Sequence, residues 1–475
     1  MLDAHVLDAL TDIVGRDGVI SHTAETRVYE CDGWTLARRA PEIVVLPRTP
    51  AAVAAVVRVL YRHGIAFVPR GAGTGLSGGC LPLAAPVMIC TSRLNRIVEV
   101  DVENRRAVVE AGVVNLAVSR AVAAHGLLYA PDPSSQPACT IGGNVAENSG
   151  GPHTLKYGVT TNHVLGVELV LPDGEMVELG GAVEDVPGYD LRGLVIGSEG
   201  TTGLVTRATL RLTRTPEAVR TLLAVFESID DASAAVSGII AGGVVPAALE
   251  MMDRIIVEAV EAAFQVGFPT DAGAVLLIEL DGSVAELELQ AQLVREVCLA
   301  RSAREVRQAR DAAERDELWK SRKRAFGAVG RLAPNYCTQD GVVPRTRVPE
   351  IMRAIAAIAA RHRLRIANVL HAGDGNIHPI LLYDERDADE VRRVIAAGHD
   401  ILRACVDLGG SITGEHGIGV EKVQEVPLLF GPQDLLVMRQ LRAAFDPDER
   451  CNPGKIFPTP GGCVEVGRPR RQVAL

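Results

Sequence analysis

Residues 71–79 read Gly-Ala-Gly-Thr-Gly-Leu-Ser-Gly-Gly, five glycines in nine positions, directly after the short apolar run 65–70. A backbone so poor in Cβ atoms can turn its N–H groups together into an anion-binding concavity. Thr74 and Ser77 add hydroxyl donors there, and Arg70 adds positive charge. Within the loop, 73–78 matches G-x-G-x-x-G. The dinucleotide fold that uses this pattern starts a helix at its third glycine. Here the chain continues Gly79-Cys80-Leu81-Pro82, which cannot enter a helix cleanly. The loop therefore reads as a phosphate cradle outside a nicotinamide-binding Rossmann fold.

Two more glycine-rich stretches follow. One runs over 140–151, introduced by Pro131-Asp132-Pro133-Ser134-Ser135; the other covers 197–205. Three such loops suit a long ligand with a pyrophosphate and a flat ring, because bare backbone approaches both closely. The loops punctuate a strand-rich half. The pattern predicts strands over 42–47 and 65–70 around a helix capped by Thr49, and a strand over 87–92. Hairpins are predicted over 97–113, turning at Glu103-Asn104, and over 163–179, turning at Pro172-Asp173-Gly174. A helix over 115–126 and an alternating strand over 204–217 complete this half. Pro216 serves as a boundary.

Beyond it, strands over 221–228, 273–282 and 368–384 alternate with Ala-rich helices over 231–243 and 387–405, the pattern of a second α+β unit. We expect an N-terminal helical segment over 1–40, a ligand-holding unit over 41–216 and a second unit over 217–425. A C-terminal helix and loop over 426–460 should return to the first unit, and 461–475 reads as a frayed tail.

Composition removes other classes. With 49 Lys+Arg against 59 Asp+Glu and 4% aromatic residues, the chain lacks the basic footprint and the stacking platforms of a nucleic-acid binder. No apolar run approaches the ~20 residues of a membrane span, and the acidic first residues do not resemble a signal peptide. Nine cysteines are scattered without a C-x-x-C, so neither a zinc ribbon nor an iron–sulfur cluster is expected. A reducing cytoplasm fits best.

His371-Ala-Gly-Asp-Gly-Asn-Ile-His378 suits two strand residues bracketing a bend, and Gly414-Glu415-His416-Gly417 adds a carboxylate and a third histidine. Two His and one Glu form a three-point ligand set for a divalent ion with positions open to substrate. Any one His alone reads better as a loop cap; it is the four residues together, flanked by glycines, that read as a site. The basic run 318–326 carries Lys320, Arg322, Lys323 and Arg324, most of which should face solvent.

The three glycine loops, taken in order and spacing, resemble the FAD domain of the vanillyl-alcohol oxidase / p-cresol methylhydroxylase flavoproteins. The segments 371–378 and 414–419 and the tail 452–457 (Asn-Pro-Gly-Lys-Ile-Phe) look like its D-2-hydroxyacid branch, that of glycolate oxidase and its D-lactate dehydrogenase relatives. The resemblance covers about 40–457. It implies an α+β fold, a two-lobed FAD-binding domain plus a ferredoxin-like α+β substrate (cap) domain. It also implies oxidation of a small D-2-hydroxy acid, glycolate or D-lactate, to the 2-oxo acid.

Carried over residue by residue, the resemblance places FAD against Pro69, Arg70, Gly71, Ala72, Gly73, Thr74, Gly75, Ser77 and Gly78. From the second loop it implies Pro131, Asp132, Ser134, Thr140, Gly142, Gly143, Asn148, Ser149 and Gly151. From the third it implies Glu199, Gly200, Gly203 and Val205, and from the tail Asn452, for which a plain turn is the other reading. Some relatives tether the flavin to a His of the first loop; none stands here, so FAD is expected to be non-covalent.

His371, His378 and Glu415 fall on the family's metal positions (Zn or Mn), His416 on its catalytic base and Arg322 on its substrate-carboxylate arginine. Relatives that take dicarboxylates carry a second basic residue where this chain has Cys337-Thr338-Gln339-Asp340, which favours a monocarboxylate. The resemblance leaves the electron acceptor open among a quinone, a cytochrome, an electron-transfer flavoprotein, O₂ and an iron–sulfur partner subunit. It is compatible with a homodimer or a hetero-complex, held at the inner face of the membrane through partners. Other readings are an electron-transfer subunit that only holds flavin, and an alkyl-glycerone-phosphate synthase-type transferase on the same fold.

Overall fold

The computed structural model describes residues 2–184 and 187–458; the tail expected over 461–475 lies outside them. Two sheets build the first half. In the smaller, Phe67–Arg70 and Ile43–Val45 flank Val87–Cys90 in parallel, and Val19–Ile20 adds an antiparallel edge. The crossover between the parallel strands is helix Pro50–Arg62, whose Thr49 hydroxyl accepts the Ala52 N–H at 3.1 Å. Val53, Val56, Val57 and Leu60 recur at i, i+3, i+4 and i+7, and they are fully buried. The strand–helix–strand expectation for 42–70 is met.

Helix Ala4–Val14 packs on this unit, and after it the N-terminal segment has the strand Val19–Ile20, the single helical turn Thr23–Thr26 and two 3-10 turns before an irregular stretch. The second sheet is antiparallel: Ile97–Asp101, Arg106–Glu110, Leu204–Arg211, Val164–Val170 and Met176–Gly180, in that order. Both expected hairpins are present.

The second half is one large sheet covered on both faces. Its order is Glu305–Gln308, Ala218–Phe226, Ala274–Gly282, Ala248–Asp253, Arg365–His371, Asn376–Tyr383, Asn335–Thr338. Helices Ile229–Ala241, Val284–Ala300, Val348–His362 and Ala388–Asp407 cover one face. Arg254–Phe264, Ala312–Lys323 and Ala325–Val329 cover the other. Leu222, Leu276 and Ile278 feed the first core; Leu223, Val275 and Leu277 feed the second. The alternation follows from the period-two pleat, and burial of both faces makes these strands mostly apolar.

After helix Pro432–Phe445 the chain returns to the first half. Phe67 N–H donates to Arg450 O at 2.9 Å and Asn452 N–H to Phe67 O at 2.8 Å, so the C-terminal loop pairs with the strand that leads into the glycine loop. Among the described residues, no helix is long and apolar enough to cross a membrane.

Candidate active site

A cavity of about 460 Å³ spans the two halves. The first loop contributes Pro69, Arg70, Gly71, Ala72, Gly73, Thr74 and Gly75 to its wall. The second contributes Ser134, Thr140, Gly142, Gly143 and Ser149, and the third Glu199, Gly200, Gly203 and Val205. Arg322, His371, His378, Glu415 and His416 close the far end. The pattern-based reading missed Asp32, Trp34 and Leu36, which line the wall from the irregular N-terminal segment.

Arg70 leaves its strand 9% exposed and donates to Cys31 O at 2.9 Å. Its guanidinium lies so close that a Cβ at Gly73 would come within 2.0 Å of Nη2, and Gly73 sits at φ +72°. The second glycine stretch is not wholly loop: 141–147 winds into helix Ile141–Glu147 behind Thr140. Gly142 is required there, because a Cβ would meet Ala111 at 2.8 Å.

Seven residues expected against the cofactor lie off the cavity wall. Ser77 and Gly78 face the segment 419–421: Ser77 O accepts the N–H groups of Val420 and Glu421, and a Cβ at Gly78 would meet Val420 Cγ2 at 2.5 Å. Pro131 O accepts from Asn115, and Asn148 caps its helix while accepting from Thr161 N–H. Gly151 packs on the Asp132 backbone. Asp132 itself pairs with His153 at 2.9 Å and Lys323 at 3.3 Å. Asn452 donates to Gly79 O at 2.9 Å and Glu199 O at 2.6 Å, which makes it a clasp between the first and third loops.

The histidines come from one hairpin. Val369 pairs with His378 and His371 with Asn376 across Arg365–His371 and Asn376–Tyr383. Opposed residues and residues two apart share a sheet face, so His371 and His378 are diagonal neighbours. Their rings meet edge to face at 5.1 Å. Glu415 Oε1 lies 3.2 Å from His371 Nε2 and 3.2 Å from His378 Nε2. Ligands held ~2.0–2.1 Å from a tetrahedral centre stand about 3.3 Å apart, so these atoms fit around one divalent cation.

The electrostatics agree. Burial opposes charge on His371, yet the Glu250 and Glu415 carboxylates pull it up to about 10. The site thus attracts a positive charge, which a cation can supply in place of the proton. Burial would raise Glu415, yet His371 and His378 hold it well below the usual carboxylate range.

Asp340, His378 and His416 form a second cluster of donor atoms. Asp340, however, has one oxygen, Oδ2, already committed. It accepts Thr413 Oγ1 at 2.6 Å and the N–H groups of Gly414 and His416 at 2.9 and 3.0 Å, with Lys422 Nζ at 3.2 Å. Burial would raise its pKa, but Lys422 keeps it well below the usual range. One carboxylate oxygen thus gathers four donors, which makes Asp340 an anchor for the turn 413–416.

Burial lowers His416 to about 4 against the pull of Asp340, so its imidazole is neutral, and among the described residues its Nδ1 has no hydrogen-bond partner.

Glu250 escaped the pattern-based reading. It stands directly opposite His371 on Ala248–Asp253, fully buried, accepts from His371 Nδ1 at 2.7 Å and pairs with Arg322. A lone carboxylate inside an apolar strand was its signal. Arg322, 1% exposed, turns inward from helix Ala312–Lys323, with its Nε unpartnered, while Lys320 and Arg324 face solvent. Among the described residues, no other lysine or arginine lines this end of the cavity; Arg70 stands at the glycine loop.

An FAD binding domain model matches residues 41–180, and a model for the C-terminal domain of FAD linked oxidases matches residues 215–456. The chain is 46% identical over 449 residues to the glycolate oxidase subunit GlcD of Escherichia coli strain K12, covering 94% of this chain and 90% of that one. It is 35% identical to a D-lactate dehydrogenase of Anaerostipes hadrus, covering 88% and 89%. Among solved structures it superposes on 4-ethylphenol oxidase from Gulosibacter chungangensis with a TM-score of 0.80 at 20% identity, covering 96% and 97%, a likeness of fold. The cavity walled by bare backbone and these matches lead to one conclusion: the chain belongs to the FAD-linked oxidases, with an FAD-binding domain followed by the family's C-terminal domain.

Proposed function

We propose that the protein oxidises a small D-2-hydroxy acid, glycolate or D-lactate, to the 2-oxo acid. The observation that carries this reading is the juxtaposition, in one cavity, of three backbone-rich loops with the His371–His378–Glu415 set, a neutral His416 and a buried Arg322. FAD supplies the acceptor for the Cα hydrogen and its electron pair, and a divalent cation, Zn²⁺ or Mn²⁺, lowers the pKa of the substrate hydroxyl.

His371, His378 and Glu415 hold the cation, with Glu250 fixing the His371 tautomer from behind. Arg322, on the cavity wall, supplies the positive charge for the substrate carboxylate. His416 takes the hydroxyl proton. Cys337 and Thr338 line the wall where dicarboxylate users need a second cation, while Gln339 turns away to bond Glu421 at 3.0 Å. That favours a monocarboxylate. The glycine-loop residues on the wall hold FAD non-covalently. The likeness to a glycolate oxidase subunit supports work within a hetero-complex that supplies the electron acceptor.

The test is anaerobic. The oxidised-flavin band of the purified protein is followed while glycolate, D-lactate, L-lactate and D-2-hydroxyglutarate are added in turn. Bleaching by glycolate or D-lactate is expected; a flavin band that none of the four diminishes would sink the proposal.

A further inference from the structure

The segment 413–421 carries Glu415 and His416, yet it belongs to no helix or strand. Its position is set from two sides. From the C-terminal domain, fully buried Asp340 gathers the Thr413 hydroxyl and the N–H groups of Gly414, Glu415 and His416, at 2.6 to 3.3 Å. From the other half of the molecule, Glu199 Oε1 accepts the Ile418 N–H at 2.6 Å and Oε2 the Gly419 N–H at 2.7 Å. Gly417, at φ +84°, lets the backbone pass this carboxylate, since a Cβ would stand 2.8 Å from Glu199 Oε1.

Glu199 is itself fixed. Its carbonyl accepts from Asn452, and its neighbour Gly200 lines the cofactor cavity. Both of its oxygens are committed to the turn, so its carboxylate serves the turn from the cavity wall.

We propose that Asp340 and Glu199 are positioning residues, a pair of buried carboxylates reaching from opposite halves of the molecule to hold the Glu415–His416 turn in register with the cavity. The inference rests on the reading of Glu415 as a cation ligand and His416 as the base. Charge-assisted N–H bonds are the strong class, and each carboxylate takes several adjacent amides, so together they replace the secondary structure this turn lacks. A ligand and a base on an otherwise irregular segment need such support, because a displacement near 1 Å costs about 100-fold in rate. The arrangement also makes the turn depend on both halves being docked.

The experiment uses the full chain loaded with FAD. Asp340→Asn and Glu199→Gln are compared with the unaltered protein in three measurements. These are Mn²⁺ titration by electron paramagnetic resonance, anaerobic bleaching by glycolate or D-lactate, and hydrogen–deuterium exchange of peptides covering 413–421. Flavin content is expected to hold while Mn²⁺ binding weakens about tenfold or more. Bleaching should slow about 100-fold with little change in the half-saturating substrate concentration, and exchange should quicken over 413–421.

Unchanged exchange in that segment, or unchanged Mn²⁺ affinity together with unchanged bleaching, overturns the proposal. Where either variant fails to fold, Thr413→Val removes one arm and keeps both carboxylates. It should weaken Mn²⁺ binding and quicken exchange over 413–421, and no change in either would again overturn the clamp. An unaltered protein that neither takes up Mn²⁺ nor bleaches would instead defeat the functional reading, and the exchange data alone then decide the clamp.

Discussion

The imidazoles of His378 and His416 lie nearly parallel, with ring centroids 4.9 Å apart and planes 15° apart. A ring on the Arg365–His371/Asn376–Tyr383 hairpin thus forms one wall of the pocket occupied by the proposed base. Burial disfavours a proton on His416 against the pull of Asp340, which leaves its imidazole neutral and able to accept one.

Replacing His416 with Gln keeps a polar group of similar reach but removes the basic nitrogen. Anaerobic flavin reduction should slow about 100- to 10,000-fold while FAD stays bound. Reduction at the unaltered rate would take His416 out of the mechanism.

Removing the cation tests the His371–His378–Glu415 set. Dialysis against a chelator should abolish bleaching by hydroxy acid without changing the flavin spectrum, and Zn²⁺ or Mn²⁺ should restore it. Metal analysis after dialysis supplies the check, since full bleaching in a metal-free sample would contradict the ligand assignment.

Gly143 separates the cofactor's needs from the fold's. It lines the cavity, and a Cβ there would touch nothing closer than Thr140 Oγ1 at 3.6 Å. Gly143→Val should fold, judged by an unchanged circular dichroism spectrum, yet purify without the yellow colour of bound flavin. A fully yellow variant would mean the cofactor does not pass this point.

Glu250→Gln leaves Arg322 buried without a counter-ion and weakens the hold on His371. Breaking such a pair by removing one partner costs about 3–5 kcal/mol. Chemical denaturation should show a loss of that order, and substrate affinity should drop with it.

His153 predicts an alkaline limit. Burial opposes its charge, yet Asp132 and Glu279 on either side raise it to about 10, and it stacks on Trp319 at 5.6 Å. A pKa raised on folding stabilises fully below the unfolded value of 6.5 and ceases to do so as pH climbs through 10. Melting temperature should therefore fall between pH 7 and 10, and His153→Phe, which retains a ring against Trp319, should flatten that slope. Parallel slopes for the two proteins would rule His153 out as the cause.

Residue type and local spacing were enough for much of this molecule. Thr49 before an apolar i, i+3, i+4, i+7 stripe predicts a capped helix, and Pro172-Asp173-Gly174 predicts a hairpin, because caps and turns are decided within a few residues. The strands Ala248–Asp253, Glu305–Gln308 and Asn335–Thr338 were not legible. They are short or interrupted by polar residues, and they become strands by pairing with distant neighbours.

The same division runs through the site. Glycines without Cβ atoms, and the His371, His378, Glu415 and His416 set, announce a cofactor loop and a donor cluster from the sequence alone, since few other residues can do that chemistry. What Glu250, Asp340 and Glu199 do could not be read in the same way. A carboxylate looks alike in sequence whether it faces water or accepts three buried amides. Pairing of Ala248–Asp253 with Arg365–His371, docking of the third loop on 418–419, and return of the C-terminal loop to Phe67 made that choice. Those contacts join residues up to hundreds of positions apart, and burial there sets both their partners and their charge.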